Sequence, residues 1–329
     1  MARLVVSGAI NWDISCFVER LPAPGEEVRV ERLIRVSGGT GANVAVAAAR
    51  ILGPGEVALI GALGEDNIAP EQIAILNAEG INTEGIKIMP GEESGQAYIF
   101  IDREGQNVIA TCPGANFALR AEHLKDSSLD SLIQGCRSIA LTDPPLEIAA
   151  SLIELAQRNK IPVLWDPGIL ISHGWEELQP LIKKIKTLFL NESEALSLIG
   201  TTEPDAAFRH LRRQGIKTTV VLKLGSRGAA ILELTAEAII EIPALPLAEL
   251  GLKLVNTVGC GDAFVGAFAA YQALGAENKV ALVKATLAAG LNAARPETRG
   301  SPDRKTLEEV EQRAYALGFV PQERKPGLE

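Results

Sequence analysis

The sequence predicts an α/β protein with a central, mostly parallel sheet and a small separate β element. Three observations carry this. Short β-branched runs alternate with longer helical patterns along the chain, the mark of strand–helix–strand units. The 329 residues are 47% hydrophobic and only 22% charged, ample for a large core and incompatible with a disordered chain. Two stretches break the rhythm and read as antiparallel strands instead.

In order, Leu4–Ser7 reads as a strand, Ala42–Leu52 as an Ala-rich helix and Glu56–Ile60 as the next strand. Glu71–Glu79 follows as a helix with Ile73 and Leu76, and the flanking Ile68, available for burial. Strand, helix, strand is the reading of Ser138–Thr142, Leu146–Arg158 and Val163–Asp166. Thr187–Leu190 and Thr219–Lys223 repeat the strand theme around the helix Asp205–Gln214. Ala263–Leu274 and Lys279–Ala293 are late helices rich in Ala. The two irregular stretches are Glu26–Val36, with Arg29, Arg32 and Arg35, and Gln96–Thr111. The second reads as a hairpin turning at Asp102-Arg103-Glu104-Gly105. No Pro/Ser-rich linker or internal repeat divides the chain, and the tail after Arg324 is expected to fray.

The formal charge of −9 argues against general binding to nucleic acid or an anionic membrane, while leaving room for one positive pocket. Cys16, Cys112, Cys136 and Cys260 are scattered, with no CxxC pair. That argues against a disulfide framework or structural zinc and fits a reducing compartment. No opening segment resembles a signal peptide, and no apolar run approaches the roughly 20 residues of a membrane span. A soluble cytoplasmic protein acting on a small molecule is the expectation.

Asn256-Thr257-Val258-Gly259-Cys260-Gly261-Asp262 carries the strongest chemical signal. Gly259, Cys260 and Gly261 lie just before an amphipathic helix, whose unpaired N–H groups and dipole make an anion site. Asp262, in the first turn, would stand beside a bound anion and could accept a hydroxyl proton during phosphoryl transfer. The competing account is a plain helix start with a favourably placed Asp. Gly38-Gly39-Thr40-Gly41-Ala42-Asn43 is the second signal: small residues that admit a ligand to the backbone, then an amide able to donate and accept toward a polyol. A local turn is its alternative. Asn11 and Asp13 directly follow the first strand, where ligands gather in open α/β sheets. There they suit sugar hydroxyls, or merely cap a loop. Asn191-Glu192-Ser193-Glu194 follows a strand and offers hard oxygens for Mg²⁺, or a capping box for the next helix.

Taken together, Gly38–Asn43, Asn191–Glu194, Leu224-Gly225-Ser226-Arg227-Gly228 and Thr257–Phe264 resemble, in order and spacing, the motifs of the ribokinase-like (PfkB) carbohydrate and nucleoside kinases. The likeness extends from Leu4 to about Val320. It implies a three-layer ribokinase-like fold, with 1–14, 38–90 and 113–329 as an α/β core and 15–37 and 91–112 as a discontinuous β lid. It implies Asp262 as catalytic base and Gly259, Cys260 and Gly261 as the anion hole. Asn11, Asp13, Gly39 and Asn43 match acceptor-binding positions, and Asn191 and Glu194 the family's Mg²⁺- and phosphate-organising Asn-x-x-Glu. Lys223, Gly225, Gly228 and Asn292 fall in nucleotide-binding positions.

Three departures stand out. Asn256 replaces an Asp that many relatives use to hold a monovalent cation, which leaves K⁺ activation open; Cys260 replaces a common Ala; Lys223 stands where many relatives carry Thr. The expected reaction is Mg²⁺-dependent transfer of the ATP γ-phosphoryl to a hydroxymethyl group of a ribose-bearing acceptor. A nucleoside is placed before a free sugar, with Trp12, Phe17 and Phe100 as candidates to face its base. A sugar phosphate held by Arg29, Arg32 or Arg35 is one alternative, and a non-catalytic sugar- or nucleotide-binding protein on the same scaffold is another. Exposed lid edges would favour a homodimer.

Overall fold

The computed structural model describes residues 2–104, 106–125 and 127–327. Gly105, named above as a turn residue, lies outside the described residues. In chain order the strands are β1 (Leu4–Gly8), β2 (Asn11–Val18), β3 (Val30–Gly38), β4 (Val57–Gly64), β5 (Ile81–Asn82), β6 (Ile86–Met89), β7 (Gly95–Ile101) and β8 (Asn107–Cys112). The later ones are β9 (Ser138–Thr142), β10 (Val163–Asp166), β11 (Thr187–Asn191), β12 (Thr219–Lys223), β13 (Ala229–Glu233), β14 (Ala238–Ile242) and β15 (Gln322–Arg324).

The main sheet has 11 strands in the order β15-β14-β13-β12-β11-β10-β9-β1-β4-β5, with β6 beside β4. It is parallel from β5 to β12 and antiparallel beyond, through β13, β14 and β15. Both faces are covered, so its central strands are buried along their whole length, as in LVVSG of β1 and VALIGALG of β4. Alternate residues feed two cores. Leu4, Val6, Ala140, Leu164 and Phe189 pack under the helices Thr40–Leu52, Cys260–Ala273 and Asn278–Ala293. Val5, Ile139, Leu141, Trp165 and Leu188 pack under Leu146–Asn159, Gly174–Ile182 and Pro204–Arg213. That is a helix–sheet–helix sandwich, the three-layer arrangement read from the sequence.

Two contacts fix the helix that begins at Cys260. Phe189 on β11 meets Phe264 and Phe268 edge-on, at centroid distances of 6.3 and 5.2 Å. Such aromatic pairs add about 0.5–1.5 kcal/mol each beyond their burial. On its other side, a Cβ at Gly266 would lie 2.6 Å from both the Val44 carbonyl and Ala47 Cβ. Only a seam of small residues lets this helix approach Thr40–Leu52 so closely.

The second sheet has four strands, β3-β2-β7-β8, with β2 parallel to β7 and the other pairs antiparallel. Both irregular stretches fall in it. Asn11 and Asp13, expected in a loop, open β2 instead; the alternation of Trp12, Ile14, Cys16 and Val18 is the period-2 signal for that strand. The strand read within Glu26–Val36 starts at Val30 and runs directly into the glycine loop at Gly38. Up to Gly327 the tail expected to fray is held: Arg324 bonds both carboxylate oxygens of Asp205 (2.9 and 2.7 Å), and the Gly327 N–H donates to Asp205 (2.6 Å). Among the described residues no helix is long and apolar enough to cross a membrane.

Candidate active site

The polar groups singled out from the sequence collect outside the carboxyl ends of β1, β9, β10, β11 and β12. β1 lies between β4 and β9, so chain connections diverge there, and the crevice so formed is where open α/β sheets bind ligands.

Gly259 precedes the helix Cys260–Ala273 in the left-handed conformation (φ 80), and a Cβ there would strike the Thr298 carbonyl at 2.2 Å. Only glycine makes this turn without strain. Cys260 N–H is spent on the Thr257 carbonyl at 3.3 Å, whereas those of Gly261 and Asp262 have no main-chain acceptor among the described residues. Beyond its own helical turn, the one heavy atom among the described residues within 4 Å of where a Gly261 side chain would begin is Lys223 Nζ, at 3.8 Å. An anion can therefore reach these amides, with an ammonium at their foot. The Cys260 thiol is pushed up by burial. Asn292 lies behind this loop rather than on the cleft wall. It is fully buried, and its Nδ2 donates to the Val258 carbonyl (3.3 Å) and to Cys260 Sγ (3.6 Å).

Asn256 closes the loop from the other side. Its Oδ1 accepts from Val258 N–H (3.0 Å) and its Nδ2 donates to the Pro296 carbonyl (3.1 Å). An N–H directed at that carbonyl is the wrong sign for a neighbouring cation, so these residues do not fit a monovalent-cation site.

Asn43 Nδ2 donates to Asp262 Oδ2 at 2.8 Å, joining residues 219 apart in sequence. Asp13 is buried against Gly38, where any side chain would overlap its carboxylate. Gly39 adopts φ +89, and a Cβ there would lie 2.6 Å from the Ala9 carbonyl, so the loop passes flush against the end of β1. Asn11 Oδ1 accepts from Asn116 Nδ2 at 3.0 Å, which leaves its own N–H₂ as a donor. Sequence reasoning missed Arg299. Its Nε donates to Asn43 Oδ1 (2.7 Å), Nη1 to Ser37 Oγ (2.8 Å) and Nη2 to the Gly38 carbonyl (3.2 Å). It lies in an irregular stretch with no periodicity to mark it.

Carboxylates dominate the remaining wall. Lys223 is ion-paired with Asp166. Burial works against its charge, but Asp166, Glu194 and Asp262 outweigh that and raise its pKa. Asn191 and Glu194 form a capping box: Asn191 Oδ1 accepts from Glu194 N–H (2.9 Å), and Glu194 Oε2 from Asn191 N–H (2.7 Å). Burial and then Asp166 raise the Glu194 pKa. Asp143, also missed, follows β9 just as Asp166 ends β10, and that position was the available signal. Gly225 leads into the turn after β12, and Gly228 ends it against the Ile242 carbonyl. No trio of His, Cys, Asp or Glu among the described residues is close enough to hold a metal directly. A fully stripped ion does not fit. A hydrated Mg²⁺, which keeps several waters, does fit the surplus negative charge of Asp143, Asp166 and Glu194.

Asp262 is pushed up to about 7, first by burial and then by Asp166 and Asp13, against Asn43 and Lys223. Asp143 is raised to about 7 by burial and then Asp166, and Asp13 to about 6 by burial, opposed by Arg299. A carboxylate titrating near neutrality beside an anion site can exchange a proton with a hydroxyl.

These raised values carry a sign for stability. Between the ordinary value of 3.8 and about 7 the folded chain holds more protons than the unfolded one, so stability falls as pH rises through that window. The ligand-free protein should show a higher urea midpoint at about pH 5.5 than at about pH 7.5. Asp143→Asn should raise the unfolding free energy at the higher pH by about 1 kcal/mol or more and shrink the difference. Equal midpoints in the parent protein would refute this electrostatic account.

Comparison with known proteins extends the likeness beyond the cleft. The model of the pfkB family of carbohydrate kinases matches residues 1–305. Ribokinase of Mus musculus is 32% identical over 281 residues, covering 83% of this chain and 82% of that protein. Ribokinase of Schizosaccharomyces pombe is 28% identical, covering 82% and 84%. The structure of Arabidopsis thaliana ribokinase complexed with ribose and ATP superposes with a TM-score of 0.84 at 27% identity, covering 95% of this chain and 99% of that one. A match through nearly all of the sequence, on the same layered scaffold, means that this chain belongs to the pfkB family of carbohydrate kinases, phosphotransferases acting on an alcohol group.

Proposed function

We propose that the chain transfers the γ-phosphoryl of ATP to the hydroxymethyl group of a small free sugar of the ribose type, with Asp262 as base. The single observation that carries this is the Asn43–Asp262 hydrogen bond of 2.8 Å, which sets a carboxyl titrating near neutrality between the polar Asn11–Asp13 wall and the open amides of Gly261 and Asp262. Asn11 and Asp13 hold the sugar hydroxyls, and the second sheet acts as a lid. Asp262 takes the hydroxymethyl proton as that oxygen bonds to the γ-phosphorus. The bond from phosphorus to the β–γ bridging oxygen breaks, and ADP leaves with its electrons. The loop amides and Lys223 face the charge on the migrating group. Mg²⁺, held through water by Asp143, Asp166 and Glu194, would neutralise the nucleotide phosphates.

The nucleoside preferred from the sequence becomes the second reading. Residues directly opposite across paired strands share a face. Trp12 and Phe100 therefore lie on the face of the second sheet opposite Asp13, packed with Ile14, Cys16, Ile68 and Tyr98. Phe17 shares the Asp13 face, but the Arg32 guanidinium lies over its ring at 3.9 Å. None of these three rings offers a free platform for a base beside Asp13. A coupled assay should show ribose or deoxyribose phosphorylated at least about tenfold more efficiently than a purine nucleoside or ribose 5-phosphate. The reverse order would overturn this acceptor choice. Asp262→Asn should lower kcat by about 10²–10⁴-fold while nucleotide still binds; wild-type turnover would remove it as base.

K⁺ has no part in this reading, because the Asn256 amide already serves the Pro296 carbonyl. Replacing K⁺ by a bulky organic cation at constant ionic strength should leave kcat within about twofold, and a large loss would contradict it. Homodimerisation through the second sheet belongs to the same proposal. Leu33, Ile34 and Val36 on β3 and Val108 and Ile109 on β8 are exposed apolar residues on its two edge strands. Sedimentation should give twice the 34.9 kDa chain mass, and a monomer at micromolar concentration would refute the dimer.

A further inference from the structure

We propose that Arg299 is a positioning residue of the acceptor site, locking the Asn43 amide with its N–H₂ toward Asp262 and tying that amide to the start of β2. The inference rests on the role just given to Asp262.

A guanidinium has donors and no acceptor. Its Nε–H therefore requires an oxygen, and Asn43 Oδ1 at 2.7 Å is that oxygen. The rest of the amide follows: Nδ2 must face the other way, where Asp262 Oδ2 accepts it at 2.8 Å. A flipped amide would set its N–H₂ against the guanidinium and its oxygen against a carboxylate, two repulsive contacts in place of two hydrogen bonds. Asp262 favours the same orientation, and Arg299 adds the bond that fixes it from the other side.

A second chain of bonds runs from the same guanidinium. Nη1 donates to Ser37 Oγ at 2.8 Å, the Ser37 hydroxyl donates to Gln72 Oε1, and Gln72 Nε2 donates to the Asn11 carbonyl at 2.6 Å. Nη2 holds the Gly38 carbonyl at 3.2 Å, beside Asp13. One cation thus spans the glycine loop, the amide behind Asp262 and the first residue of β2. It is itself braced: Arg50 Nη1 donates to the Arg299 and Ser301 carbonyls, both at 2.8 Å, and Arg50 is paired with Glu79. Burial lowers the Arg299 pKa to about 10, which leaves it protonated at neutral pH.

The test is a double-mutant cycle in steady-state kinetics. Arg299→Met keeps much of the volume and removes every donor. It should lower kcat by about 10²-fold, the cost of a misplaced catalytic group, while the KM for ATP changes less than about twofold. In an Asn43→Ala background the same replacement should cost less than about threefold, because its target is gone. Wild-type kcat in Arg299→Met, or an equal loss in both backgrounds, would overturn the proposal. Circular dichroism and nucleotide binding report whether the variant folds. If Arg299→Met does not, the same cycle with Arg299→Lys, which offers one donor in place of a fork, decides by the same two criteria. Should Asp262→Asn and Asn43→Ala both turn over normally, the reading of the site itself fails. Should those two be impaired and Arg299→Met be unaffected, this inference alone fails.

Discussion

The hydrogen bond from Asn43 to Asp262 joins the two halves of the chain at the cleft. It forms because two helices start side by side, and they start side by side because their facing surfaces are stripped of bulk. Gly266 admits the backbone at Val44, and alanines fill the rest of the contact. The aromatic cluster of Phe189, Phe264 and Phe268 holds the second helix down on the sheet, so its amino end cannot drift from the strand ends. Packing far from the chemistry thereby sets a distance at the chemistry, the kind of constraint on which positioning in an enzyme depends.

Electrostatics at the cleft run against stability. Asp13, Asp143, Asp166, Glu194 and Asp262 converge, while Lys223 and Arg299 are the cations that most directly offset them. The Lys223–Asp166 pair is nearly dry, with side chains 14% and 11% exposed. Removing one member of such a pair strands the other charge, typically at about 3–5 kcal/mol. A site with surplus carboxylate is poised for polyphosphate accompanied by divalent cation, since each arrival relieves the imbalance left by the previous one. The raised Asp262 pKa comes first from burial and then from the same imbalance, and what destabilises its charged form makes it a better proton acceptor.

Much of this was legible in the sequence because it is written in local patterns. Buried parallel strands are continuous apolar runs, and β1, β9, β10 and β12 were visible on that ground. Gly259 and Gly39 were visible because only glycine suits their backbone. What escaped is non-local. The pairing of β15 with β14 joins residues far apart in the chain, such as Arg324 and Ile239. Arg299 acts through residues some 250 positions away, at |i−j| of 256 and 262 for Asn43 and Ser37, and no spacing rule spans that interval. For Trp12 and Phe100 residue type suggests a stacking role, but strand parity decides which face a ring occupies. Asn292 was placed near the cleft by resemblance, whereas its burial sets it one layer behind.

The clasp at Asp205 has an implication for handling the protein. β15 covers the outer rim of β14, and Arg324 and Gly327 are what fasten it there. Trimming the final residues would uncover a row of unsatisfied main-chain groups, an invitation to sheet-to-sheet association between molecules.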